Sequence, residues 1–145
     1  MKIFTIGFTR KTAERFFGLL REAEVAKLID VRLNNVSQLA GFAKRDDLKY
    51  FLGEICSVGY THRLDLAPTQ SMLDDYKKRG ISWTVYEDRF LELMKHRHIE
   101  ESIPREMLND AVLLCSEDKA HHCHRRLVAE YLAQWWDDVA IEHLG

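Results

Sequence analysis

The sequence predicts a single α/β domain, a three-layer sandwich around a mostly parallel, doubly wound sheet of about five strands. Short apolar runs alternate along the chain with longer segments whose apolar residues recur at helical spacing. The first run leads into a helix cap and an amphipathic stripe, as a βαβ unit begins. At 145 residues, 46% hydrophobic and 30% charged, the chain suits one core rather than two.

In order, residues 2–6 read as the first strand, ending at Gly7. Thr12 is placed to cap the next helix, with Glu14 in its first turn. Phe16, Leu19, Leu20 and Ala23 then form the stripe that packs a helix on a sheet. Residues 27–31 are a second short strand, closing on Asp30 and Arg32, and 33–44 read as a loop. Leu48, Phe51, Leu52 and Ile55 place a helix over 45–58 that Gly59 stops, and 60–64 form a weaker strand.

After Pro68, the residues Met72, Leu73 and Tyr76 precede Gly80. Ser82 caps a longer helix carrying Tyr86, Phe90, Leu93 and Met94, and Pro104 opens a short one. Residues 67–110 are therefore a mostly helical excursion, well beyond the dozen or so residues a crossover needs. It suits a lid, a subunit contact or packing. Residues 111–115 are the most β-like run, followed by a helix after Cys123 and a strand near 139–143. The expected strand order is 3-2-1-4-5, with the switch point between the first and fourth strands.

Composition excludes several classes. No apolar run approaches the roughly 18 residues of a membrane span. A net charge of −2 gives no global attraction to nucleic acid or anionic lipid. The opening residues read as a strand rather than a signal peptide, so a cytoplasmic protein with no membrane partner is expected. Cys56, Cys115 and Cys123 are an odd number, which fits thiols better than a disulfide framework.

The densest reactive block runs from Cys115 to Arg126, between the fourth strand and the last long helix. In an open α/β sheet, ligands bind outside the carboxyl ends of the strands, where helix N-termini offer free N–H groups to anions. Arg32 and Arg125 are the expected anion-binding forks, with backbone donors from the segment of Gly7 and Thr9 and from residues 122–124. The same arginines equally suit structural ion pairs with Asp30 and Glu117. Glu117 and His124 are the expected proton-transfer groups. Cys123, beside His124 and Arg125, is the better thiolate candidate, with Cys115 and Asp30 in support.

Spacing argues against three familiar centres. Ten positions separate Cys115 from Arg125 and two separate Cys123 from Arg125, neither being the single tight loop of a cysteine phosphatase. The paired-ligand patterns of structural zinc sites are missing, so no metal is expected. A redox role would require Cys115 and Cys123 within disulfide reach, without the usual Cys-x-x-Cys.

Five markers occur in order: Thr5-Ile6-Gly7, Asp30-Val31-Arg32, Ser37 with Gly41-Phe42, Leu113-Leu114-Cys115 with Glu117, and Cys123-His124-Arg125 with Val128-Ala129. Together they make the chain resemble the family catalogued as domain of unknown function 488, along most of its length. The resemblance implies an α/β fold and a shared polar site, and it carries no reaction or cofactor with it. Phe8 departs from it, because many members have a histidine after the glycine; no role of that histidine is carried over.

The functional expectation is an enzyme acting on a phosphate-bearing or nucleotide-like substrate, by hydrolysis or group transfer. The alternative is a non-catalytic nucleotide or nucleic-acid binding module. Lys95 to His98 read as a solvated basic helical face, with nucleic-acid contact as the lesser alternative, and of Trp135 and Trp136 one ring is expected to face the core.

Overall fold

A strand of Ala-Val-Leu-Leu-Cys has no polar face to offer water, so it belongs where helices cover both sides of a sheet. That strand, β4 (Ala111–Cys115), is buried at every position and lies at the centre. The computed structural model describes residues 1–36 and 40–145, so the Ser37 marker lies outside the described residues. Among the described residues, β4 joins β1 (Lys2–Gly7), β2 (Lys27–Asp30), β3 (Gly59–His62) and β5 (Ala140–His143) in one sheet. Every neighbouring pair is parallel.

The strand order is β3-β2-β4-β1-β5, which corrects the expected 3-2-1-4-5. The crossover from β1 to β2 skips one place, and β4 fills it. Polarity explains the exchange. β1 starts on an exposed lysine and carries Thr5, whereas β4 is apolar throughout. β1 and β4 remain neighbours, with Gly7 opposite Cys115.

Alternate residues of each strand face opposite layers. Phe4, Ile6, Leu28, Val112 and Leu114 meet Phe16, Phe17 and Leu20 of helix α1 (Ala13–Ala23) and Leu48 of α2 (Arg45–Phe51). On the other face, Ile3, Ile29 and Leu113 meet the helical excursion and α6 (His124–Trp135). The connections leaving β1 and β4 thus run over opposite faces and part at the carboxyl ends, where a crevice opens.

The excursion contains α3 (Gln70–Lys77), α4 (Trp83–Arg97) and α5 (Ile99–Ser102), with 3-10 turns at Leu64–Leu66 and Arg105–Leu108. Caps set several helix starts. The hydroxyls of Thr12, Thr69 and Ser82 accept from the N–H groups of Arg15, Met72 and Val85 at 3.1–3.2 Å. The expected helix over 45–58 is α-helical only to Phe51, then widens into a π-helical stretch, Leu52–Cys56. Its left-handed stop is Ser57 (φ 56°), two residues before Gly59, which already belongs to β3.

Arg97 spends its Nη1 on the carbonyls of Asp65 and Ala67, at 2.8 and 2.7 Å, and so ties the excursion together. Trp136 packs on the core while Trp135 is exposed. No helix among the described residues is long and apolar enough to cross a membrane.

This packing predicts a contrast in stability. Leu113→Ala, at a fully buried position, should cost about 2–5 kcal/mol, whereas Trp135→Ala should stay within about 0.5 kcal/mol. Urea denaturation midpoints of the two variants check it.

Candidate functional site

The loop between β4 and α6 is positioned by its carbonyl oxygens. Arg125 is 1% exposed and lies in the first turn of α6. Its Nη1 donates to the Glu117 carbonyl at 2.6 Å, its Nη2 to the Asp118 carbonyl at 3.3 Å, and its Nε to Thr5 Oγ1 at 3.2 Å. Thr9 takes the preceding carbonyl: its N–H and hydroxyl donate to Ser116 O at 3.1 and 2.6 Å. Gly7 permits this approach, because a Cβ there would lie 1.6 Å from Glu117 O. Lys11 secures the far side through a 2.7 Å ion pair with Asp118.

At the end of β2, Asp30 is fully buried and Arg32 is 2% exposed. Arg32 Nε and Nη2 donate to the two Asp30 carboxylate oxygens, both at 2.8 Å, and the Tyr60 hydroxyl donates to Asp30 Oδ2 at 2.6 Å. Burial alone would raise the Asp30 carboxyl. The hydrogen bonds and charge of Arg32, with Tyr60, outweigh it and hold the group below its ordinary value of 3.8. Phe8 lies beneath the Arg32 guanidinium, 5.3 Å from ring centroid to Cζ, and supports the arginine. Arg32 Nη1 is buried and has no hydrogen-bond partner among the described residues.

Between these two structures lie Cys115, Cys123 and His124, all buried. His124 Nε2 donates to the Val31 carbonyl at 2.7 Å, because a carbonyl can only accept. That bond places the Nε2 proton and turns Nδ1 toward Cys115 Sγ, 3.3 Å away. Burial pushes the Cys115 thiol up, but a hydrogen bond from Cys123, the Arg125 charge and the Ser116 N–H bring it below the usual cysteine value. Cys123 moves the other way, raised by burial and by its bond to Cys115. The two thiols are thus coupled through the hydrogen bond that Cys123 donates to Cys115. The sulfur atoms and a His124 ring nitrogen lie within 4.8 Å of one another, a set able to hold a metal. His98, Glu100 and Glu101 form a more exposed second cluster.

These groups line a cavity of about 360 Å³ at the carboxyl ends of β2 and β4. Arg32, Cys115, Cys123 and His124 are among its buried lining residues, and Glu117 lies at its exposed side. The opposite wall comes from the excursion: Tyr76, Lys77 and Lys78 around the end of α3, with Trp83 and Tyr86 at the start of α4. His122 stacks on Trp83 with centroids 4.9 Å apart. Glu117 and Lys77 face each other at 4.0 Å.

A family model described as Domain of unknown function DUF488 matches residues 12–132. The chain belongs to the DUF488 family. No curated protein and no solved structure matches it. The match leaves out β1 and β5, so it is shorter at both ends than the resemblance read from the sequence.

In this DUF488 chain the sequence-predicted residues separate into two groups. Arg32, Cys115, Glu117, Cys123 and His124 meet at the cavity, with Asp30 behind Arg32. Gly7, Thr9 and Arg125 lie outside the cavity lining and hold the loop that bears Cys115 and Glu117. The expected ion pair of Arg32 with Asp30 is present, whereas Arg125 binds the Glu117 backbone rather than its carboxylate. Sequence reading missed the aromatic wall and Lys77 and Lys78. The signal available was the length of the excursion itself, far more chain than a crossover requires.

Two measurements test this arrangement. Gly7→Ala must push the loop off its arginine and should destabilise the fold by about 1–3 kcal/mol or more, read from denaturation midpoints. The lowered Asp30 group contributes stability that is full above its unfolded pKa and lost as pH falls through the lower folded value. Unfolding free energies from pH 7 into the acid range should therefore fall more steeply for wild type than for Asp30→Asn. At neutral pH that variant should be less stable by about 3–5 kcal/mol, since it strands a buried guanidinium.

Proposed function

We propose that the chain is an enzyme acting on a phosphate-bearing, nucleotide-like substrate held in the cavity. The observation that carries this reading is the Arg32 side chain: buried, lining the cavity, neutralised on one edge by Asp30, and with Nη1 unspent among the described residues. Leaving a buried donor unpaired costs about 1–3 kcal/mol, a cost that an anionic oxygen removes. Lys77 and Lys78 at the exposed wall attract the same charge. Tyr76, Trp83 and Tyr86 supply the apolar wall that a planar ring requires.

The reacting bond then lies over Cys115 and His124, where a neutral imidazole of fixed tautomer can take a proton. Glu117 at the exposed side exchanges protons with solvent. The reaction class is hydrolysis or transfer of the phosphate-bearing group. Arg125 acts by holding the loop in place.

A thermal-shift panel of phosphate, nucleoside phosphates and sugar phosphates tests the reading. Binding at 100 times Kd stabilises the native state by about 2.7 kcal/mol. Wild type should shift with at least one nucleoside phosphate, and Arg32→Lys, which keeps the charge but loses the fork, should shift less. Cys115→Ser should keep the shift yet lose phosphate release from that ligand. A shift in wild type without any phosphate release would instead favour the non-catalytic nucleotide-binding module, release unchanged in Cys115→Ser would remove Cys115 from the reaction, and no shift with any phosphate would remove the anion reading.

A further inference from the structure

We infer that Cys115, Cys123 and His124 form a binding site for a thiophilic divalent cation of the zinc type, open to the cavity on its fourth side. Two sulfurs and an imidazole nitrogen are the ligand set that zinc prefers, and a catalytic zinc commonly takes three protein ligands with the last position left to water or substrate. The three ligand atoms already lie within 4.8 Å of one another, and Cys115 Sγ is 3.3 Å from His124 Nδ1. Little movement is needed to bring them around one ion.

The second shell is also in place. A metal-bound histidine characteristically donates its other ring N–H to a carbonyl or carboxylate. His124 does so, from Nε2 to the Val31 carbonyl at 2.7 Å, which leaves Nδ1 facing the sulfurs. Cys123 stands at the N-cap of α6 without a side-chain capping bond, so its sulfur is not engaged by the helix. A simple nucleophile at Cys115 would need Cys123 only as a hydrogen-bond donor, whereas a cation uses all three side chains as ligands.

Charge closes the argument. A divalent cation bound by two thiolates and a neutral imidazole is electrically neutral, and binding releases the thiol protons to the buffer. A neutral centre is compatible with Arg32, which Asp30 already balances, and with Arg125 at the loop. All three ligands line the cavity, so the open position faces the side where a substrate would lie. Sequence spacing hides this set because one ligand ends a strand and the other two begin a helix.

With Nδ1 on the metal, His124 no longer takes a proton, so this inference keeps the anion-binding part of the proposed function and replaces its cysteine–histidine chemistry; its test needs no substrate. The full chain, reduced and stripped of metal, is titrated with cobalt(II) and followed by absorption. One equivalent should produce sulfur-to-cobalt charge-transfer absorption and the visible bands of tetrahedral cobalt, and zinc should bleach both. Cys123→Ser and His124→Ala should each weaken binding by more than the roughly 10–100-fold that a second-shell change costs. Cys56→Ser, away from the cavity, should leave the spectrum unchanged. Circular dichroism identifies any variant that has not folded, and Cys115→Ser then takes its place. Absence of a charge-transfer band at stoichiometric cobalt overturns the proposal. So does a band that survives loss of Cys123 but vanishes with Cys56.

Discussion

The buried guanidinium of Arg125 is the contact on which the rest of the site depends. It reaches from the first turn of α6 to a β1 side chain and to two successive loop carbonyls. A cation placed near a helix N-terminus opposes the helix dipole, a penalty of about 0.3–1 kcal/mol that the three hydrogen bonds exceed. Because those carbonyls are captured behind the loop, its path from Cys115 to the start of α6 is set. The strand-end sulfur is thereby brought against the two residues that open the helix.

A second buried cation completes the frame from the neighbouring strand. Asp30 and Arg32 pair through two parallel hydrogen bonds, with Tyr60 from the adjacent strand as a further donor. Such a pair is costly to bury and costly to break, so its value lies in fixing geometry more than in net stability. The Val31 carbonyl between them orients His124. One tripeptide of β2 and its exit therefore supplies a buried arginine, its counter-charge and the carbonyl that orients the histidine.

Much of this was legible in the sequence. Periodicity located the strands and main helices, and the polar block after β4 marked the end of the sheet where residues converge. The strand order was not legible, because nothing local in Lys27 to Asp30 states which strand lies beside it; the burial of β4 decides that. The roles of Arg32 and Arg125 were separable only in three dimensions, since both follow apolar or polar runs equally suited to an anion. That Cys115 and Cys123 share a hydrogen bond was not legible either, because eight positions of loop and helix start separate them in sequence. The aromatic wall escaped because Tyr76, Trp83 and Tyr86 read as helix-packing residues, which they also are.

The helical excursion has a consequence for how such a protein can diversify. The groups at the carboxyl ends of the strands belong to β2, β4 and the start of α6, while the facing wall belongs to an insertion between β3 and β4. The two sides of the cavity are thus written in different stretches of chain. Replacing residues near the α3–α4 junction alters the shape and polarity of the entrance without touching the Asp30–Arg32 pair or the sulfur–imidazole cluster. A scaffold divided in this way can reshape one wall of its cavity while keeping the other as it is.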